Sequence, residues 1–209
     1  MMTPATVSTG STIMVSSTVY GSEEMLDQVY AALHSYGYKV WMSRAGTIPV
    51  HPRKSNFKNC IWAVENCDVF LGIITKRYGS GRRGSALSIT HREMLRAVQL
   101  QKPAWFLVDH DVVIARQLLK QYRFTKHRPP RKRKTFVLEP TAVLDDARIL
   151  EMYESAIRGD IPLAERTGNW VQEYIDTQDV LRFLEAQFSD VNGLKAFLSS
   201  CGTQETNHE

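Results

Sequence analysis

The sequence is short of the residues that mark several large classes of protein. It has three cysteines, Cys60, Cys67 and Cys201, odd in number and with no C-x-x-C spacing. That excludes a disulfide scaffold and argues against a metal or redox pair. Cys60 and Cys67 are expected on one face of a helix, two turns apart, and read as buried thiols. The histidines are scattered and none has metal-ligand spacing, so no resident metal is expected. No apolar run approaches the ~18 residues that a membrane-crossing helix needs. The opening "MMTPATVSTGST" lacks the charged and apolar regions of a signal peptide. A cytoplasmic protein without a membrane partner is therefore expected. The phosphate-cradling pattern G-x-x-x-x-G-K-[ST] does not occur, and neither a P-loop nor a dinucleotide Rossmann site is expected. There is no internal repeat.

What is present is ordinary for a folded domain. Of 209 residues, 43% are hydrophobic and 23% charged, enough to bury a real core. The net charge of +4 is unevenly placed. Arg123, Lys126, Arg128, Arg131, Lys132, Arg133 and Lys134 supply seven positives with no acid among them, so the rest of the chain carries 4 − 7 = −3. Interrupted by Pro129 and Pro130, this block reads as a solvated loop. A nucleic-acid contact through Arg123–Lys134 is the less favoured reading, because no recognised nucleic-acid motif accompanies it.

Strand and helix signals alternate along the chain. "TIMVSS" (Thr12–Ser17) is a β-rich run, and "EEMLDQVYAALHSYG" (Glu23–Gly37) has helical spacing with Gly37 as its stop. "YKVWM" (Tyr38–Met42) is a short strand, and Asn56–Cys67 a helix. "DVFLGIIT" (Asp68–Thr75) and "PAWFLVD" (Pro103–Asp109) are apolar enough for strands buried on both faces. Between them lie a Gly-rich loop, Lys76–Ser88, and a helix from about Ser88 to Gln101. "VVIARQLLKQY" is a helix, "TFVLE" (Thr135–Glu139) a strand, and Asp145–Arg158 a helix opened by acids. "NWVQEY" fits an edge strand or a loop, and two helices close the chain.

This order predicts a flavodoxin-like open parallel α/β sheet of about five strands, helices on both faces, and a C-terminal helical extension. Residues 1–11 form a leader. Residues 12–142 form the α/β domain carrying the basic loop 123–134. Residues 143–209 are a helical part completing the same domain. In such sheets ligands bind beyond the carboxyl ends of the strands, where strand order reverses.

The residues expected at that end carry the functional question. Thr90-His91-Arg92-Glu93 has the T-x-x-E pattern of a capping box, in which Glu93 would only reach back to a cap amide. If the helix instead starts at Ser88, Glu93 has no capping role. It could then face a ligand, stabilise a cationic sugar transition state or attack an anomeric carbon. "VSSTVYG" (Val15–Gly21) puts three hydroxyls, Ser16, Ser17 and Thr18, directly after the first buried strand. They could hold a ribose or phosphate, or Ser17 or Thr18 could simply cap the next helix. In the Gly-rich loop, Arg77, Arg82 and Arg83 could pair with phosphates and Tyr78 could stack on a base; the alternative is an ordinary surface loop. Trp170 reads as packing the C-terminal helices onto the sheet, or as a pocket wall.

Taken together, "IMVSSTVYGSEEMLDQVYAALHSYGYKVW", "CDVFLGIITKRYGSG" and "SITHREMLRAVQLQKPAWFLV" resemble a bacterial domain of unknown function. The resemblance spans about Thr12 to Asp109. That domain is similar to the wider group of nucleoside 2-deoxyribosyltransferases and TIR-like domains. The resemblance implies cleavage of N-glycosidic bonds in nucleosides, nucleotides or NAD, with Glu93 as the essential carboxylate. It also implies Ser16, Ser17 and Thr18 at the pocket floor and Ser88 and Thr90 beside the carboxylate. Tyr20, Tyr78, Gly79 and Arg82 complete the set of expected substrate-binding residues. Two departures qualify it. The deoxyribosyltransferases have an acidic pair around the middle strand and Gly-Thr-Ala before the glutamate, where the approach here is Ser-Ile-Thr, and the C-terminal hundred residues with their basic block are extra.

The arginine-rich loop points to a phosphorylated or dinucleotide substrate, with NAD or a nucleotide consumed as substrate and no separate cofactor. A role in bacterial antiphage defence or nucleotide signalling, as a homo-oligomer or with a partner effector, follows from the same resemblance. The alternative is a non-catalytic nucleotide-sensing or protein-interaction module of the same fold.

Overall fold

The computed structural model describes residues 10–79, 87–125, 132–133, 136–159, 161–166 and 169–202. Five strands form one sheet: β1 (Thr12–Ser17), β2 (Lys39–Met42), β3 (Val69–Ile74), β4 (Ala104–Asp109) and β5 (Asn169–Tyr174). All four pairings are parallel, in the order β2-β1-β3-β4-β5. The expected flavodoxin-like open parallel sheet is what the chain forms. The reversal of strand order falls between β1 and β3, so a crevice opens beyond their carboxyl ends.

Seven α-helices are described: α1 (Glu23–Ser35), α2 (Asn56–Asn66), α3 (Ile89–Gln99), α4 (His110–Arg123), α5 (Arg148–Ala156), α6 (Thr177–Phe188) and α7 (Val191–Gly202). Because side chains alternate along a strand, each strand feeds two cores. Met14, Phe70, Ile74, Phe106 and Val108 face α2, α3, α4 and α5. Ile13, Val15, Leu71, Ile73 and Leu107 face α1 and α6, with α7 outside them. The alternation places Ser16 on the face of Met14, beneath α3.

The fifth strand is not "TFVLE". Among the described residues of that run, Phe136 to Glu139, no strand forms and Val137 is largely exposed. Asn169–Tyr174 takes the free edge of β4 instead, in the register Phe106↔Val171 and Asp109↔Tyr174. An edge has room for one strand. Leu138 packs only partly against the core, and Pro140 ends the run. Trp170 also departs from expectation. It is 60% exposed on the edge strand, outside both buried cores and away from the crevice lining. Trp105 does the packing, with its ring 5.3 Å from Phe188 and its Nε1–H donating to Gln187.

Among the described residues, no helix is long and apolar enough to cross a membrane, and no group of three or more His, Cys, Asp and Glu side chains is disposed to hold a metal ion. Cys60 and Cys67 are free and buried. Of the basic block, Arg123, Lys132 and Arg133 are described. Arg123 is buried and makes a two-pronged ion pair with Glu154 at 2.6 and 3.1 Å. Lys132 pairs with Glu151. Lys126, Arg128, Arg131 and Lys134 lie outside the described residues, as does the side chain of Cys201.

Candidate active site

The helix that carries Glu93 starts at Ile89, with Ser88 as its N-cap. The Ser88 hydroxyl accepts from the His91 amide at 3.2 Å, and its carbonyl accepts from the Arg92 amide. The T-x-x-E pattern is therefore not used as a capping box. Glu93 sits one turn inside the helix and turns away from the helix end. It is 4% exposed, and Ser16 Oγ donates to its Oε2 at 2.5 Å. Burial pushes the Glu93 carboxyl above its ordinary range, and the Ser16 hydroxyl and Cys60 thiol, both donating to it, pull it part of the way back. Among the described residues, no cation contributes to holding it ionised.

Gly72 explains how α3 comes close enough. It lies on β3 directly opposite Ser16 on β1, on the same face. A Cβ there would stand 2.6 Å from Phe106 Cδ1 and 3.2 Å from Met94 Cε. Met94 follows Glu93, so the missing side chain is the space into which this turn of α3 settles. Sequence reading passed over Gly72; the available signal was a lone glycine inside an otherwise branched, buried strand.

Glu93 opens onto a cleft of about 590 Å³ at the β1/β3 crevice. Ser17 lines it from the end of β1, Thr18 and Tyr20 from the loop that follows, and Glu23 from the first turn of α1. Ser43, Ile48 and Val50 come from the loop after β2, Asn56 and Cys60 from α2, Gly79 from beyond β3, and Ile89 and Thr90 from α3. The walls combine hydroxyls with apolar surface, as small-molecule sites do. The hydroxyls after β1 do not cap α1. Its N-cap is Ser22, which makes no side-chain cap bond, while the Ser17 hydroxyl donates only to the neighbouring Thr18 carbonyl.

The structure thus gathers Glu93, Ser17, Thr18, Tyr20, Gly79 and Thr90 around one cleft, with Ser16 beneath Glu93. Tyr20 is mostly exposed at the rim. Gly79, at φ +81°, packs on Thr18, whose Oγ1 lies 2.9 Å from where a Cβ would stand. Two expected residues stand apart. Ser88 is fully buried behind the wall. Tyr78 is 3% exposed, with Arg148 over its ring at 4.3 Å and His91 Nδ1 2.8 Å from its hydroxyl. Its ring is covered and does not present a stacking face to the cleft. Arg82 and Arg83 lie outside the described residues. The run Gly79-Ser80-Gly81-Arg82-Arg83-Gly84 does have the G-x-G-x-x-G spacing, contrary to the expectation of no dinucleotide signal. It follows the third strand, whereas the fingerprint belongs to the turn after the first, and only Gly79 of it is described.

Glu23 and Cys60 are cleft residues that the sequence reading missed. The Cys60 thiol is pushed up to about 12, by burial first and then by Glu93, which makes it a hydrogen-bond donor and not a nucleophile.

Fold and crevice define an open α/β domain with a buried carboxyl at the mouth of its sheet. Residues 12–181 match the model of the family described as "Domain of unknown function (DUF4062)", and the chain belongs to that family. No curated protein matches the sequence. Among solved structures, one similar chain is the CMP N-glycosidase BcmB of Clostridium botulinum. It has 11% identity and a TM-score of 0.44, over 84% of this chain and 98% of that one.

Proposed function

We propose that this protein cleaves an N-glycosidic bond in a nucleotide-type small molecule, NAD or a nucleotide, with Glu93 as the essential carboxyl. One observation carries the reading: a glutamate that has no capping role is buried at the strand-order switch point, hydrogen-bonded to Ser16 and open to a cleft. A buried carboxyl without a cation is unfavourable for the fold alone, and such groups concentrate at functional sites. Its raised proton affinity suits delivery of a proton to a departing base. Once ionised, the same carboxyl faces the positive charge that develops on the sugar as the base leaves. Ser17, Thr18 and Thr90 would hold the sugar hydroxyls, and Tyr20 and Val50 at the rim would cover the base.

The resemblance to TIR-like domains supports a place in bacterial antiphage defence or nucleotide signalling, working as a homo-oligomer or with an effector. The test is base release from NAD and a nucleotide panel, followed chromatographically for the wild type and Glu93→Gln at several protein concentrations. Release that depends on Glu93 supports the reading. Release that survives Glu93→Gln, or no release from any substrate at concentrations where the protein is assembled, refutes it and leaves a sensing module.

A further inference from the structure

Behind the cleft wall lies a buried polar cluster that the proposed chemistry does not use. Tyr78, Ser88 and His91 are all 3% exposed or less. The Ser88 amide donates to the Tyr78 hydroxyl at 3.3 Å, and the hydroxyl lies 2.8 Å from His91 Nδ1. The two rings meet edge to face, at 88°. The hydroxyl oxygen accepts from Ser88 and carries one proton that it can give to Nδ1. With the bond in that direction Nδ1 is the acceptor, and His91 is the neutral tautomer with its proton on Nε2. The groups facing the ring from α5, its N-terminal approach and the basic segment are Glu151, Asp146, Arg148 and Lys132. Burial, the largest influence, pushes the imidazole below its ordinary value and favours this neutral form. Tyr78 is itself fixed: its amide donates to Asp145 Oδ1 at 2.8 Å.

His91 and Glu93 are two residues apart on α3, so at 3.6 residues per turn they leave the helix on nearly opposite sides. His91 is held on one side by Tyr78, and Glu93 on the other by Ser16. We propose that Tyr78 and His91 are positioning residues that fix the rotation of the first turns of α3 and thereby aim Glu93 into the cleft. The proposal rests on the reading of Glu93 as the working carboxyl. A side-chain tip rides about 5–6 Å from the helix axis, so a rotation of roughly 10° moves the carboxyl about 1 Å. A misplacement of that size can reduce turnover about 100-fold.

The test uses Tyr78→Phe, His91→Leu and His91→Asn. Phe keeps the ring under Arg148 and the amide bond to Asp145, but leaves His91 and Ser88 without the hydroxyl. Asn puts an acceptor close to where Nδ1 stands, and Leu does not. Imidazole 15N shifts of the wild type should show the Nε2–H tautomer below neutral pH; an Nδ1–H tautomer overturns the proposal whatever the activity. Base release should fall 10- to 100-fold in kcat, with KM changed less, in Tyr78→Phe and His91→Leu, and recover in His91→Asn. Unchanged kcat in both overturns it. Where the wild type releases no base, the proposed function fails on its own, and the 13C titration of the Glu93 carboxyl decides the positioning. A shifted titration in Tyr78→Phe that His91→Asn does not share supports it, and identical titrations in all proteins overturn it.

Discussion

Glu93→Gln separates the two readings of this carboxyl by the sign of its effect on stability. A Glu that closes a capping box contributes by reaching back to the cap amide, and losing a cap costs about 1 kcal/mol, with little dependence on pH above the carboxylate range. The structure dictates something else. Glu93 is 4% exposed, bonded to Ser16 and Cys60, and held above its ordinary value of 4.5 by burial. Between 4.5 and the folded-state value, the folded protein keeps a proton that the unfolded chain has lost. The contribution to stability is full below 4.5 and is lost as pH rises through the folded-state value. One proton corresponds to about 1.4 kcal/mol per pH unit across that window. The substituted glutamine keeps an acceptor for Ser16 and does not titrate. Wild type and variant should therefore match near pH 4 and diverge upward, with the variant the more stable at about pH 7 to 8. Urea unfolding of both proteins from about pH 4 to 8 measures this. A variant less stable by a constant ~1 kcal/mol across the range would refute the reasoning and restore the cap.

Ser16→Ala removes the hydroxyl that donates to Glu93 and should destabilise by about 1–3 kcal/mol. It should also raise the Glu93 carboxyl further, which a shift of the pH–rate profile for base release would register. Gly72→Ala forces a methyl against Phe106 and Met94 and should destabilise by about 1–3 kcal/mol. Base release should fall by more than the unfolded fraction explains, because the turn carrying Glu93 is displaced; proportionate loss would show that Gly72 serves packing alone. Arg123→Ala strips Glu154 of its two-pronged partner and should cost about 3 kcal/mol in chemical unfolding. It should leave KM unchanged, since Arg123 lies on the far end of α4.

The sheet was legible because its central strands are continuous apolar runs separated by connections of helix length. Periodicity also located α1, α2 and α3 to within a few residues. The fifth strand was not legible. "TFVLE" has the stronger β composition, yet edge position is decided by which segment returns to β4, a long-range matter that local pattern does not contain. The candidate site was legible in part. Ser17, Thr18 and Glu93 follow from the rule that parallel sheets bind at their carboxyl ends. Glu23 and Cys60 do not, because they reach the cleft through helix packing angles. Tyr78 shows the converse difficulty: an aromatic in a Gly-rich loop looks exposed, but a partner for its hydroxyl in His91 and a lid in Arg148 draw it inside.

The start of α3 is settled by competition for buried partners, which the T-x-x-E pattern cannot express. Were Thr90 the cap and Glu93 its closing residue, the carboxyl would leave Ser16, which is 1% exposed and has Glu93 as its acceptor. A buried hydroxyl without a partner costs about 1–3 kcal/mol, as much as a capping box contributes. The alternative start satisfies more groups. Ser88 engages its amide with Tyr78, its hydroxyl with His91 and its carbonyl with Arg92, and Glu93 stays on Ser16. The carboxyl is thus kept off the helix end by the same hydrogen bonds that hold it at the cleft, and a substitution that frees Ser88 should let Glu93 relax toward the cap.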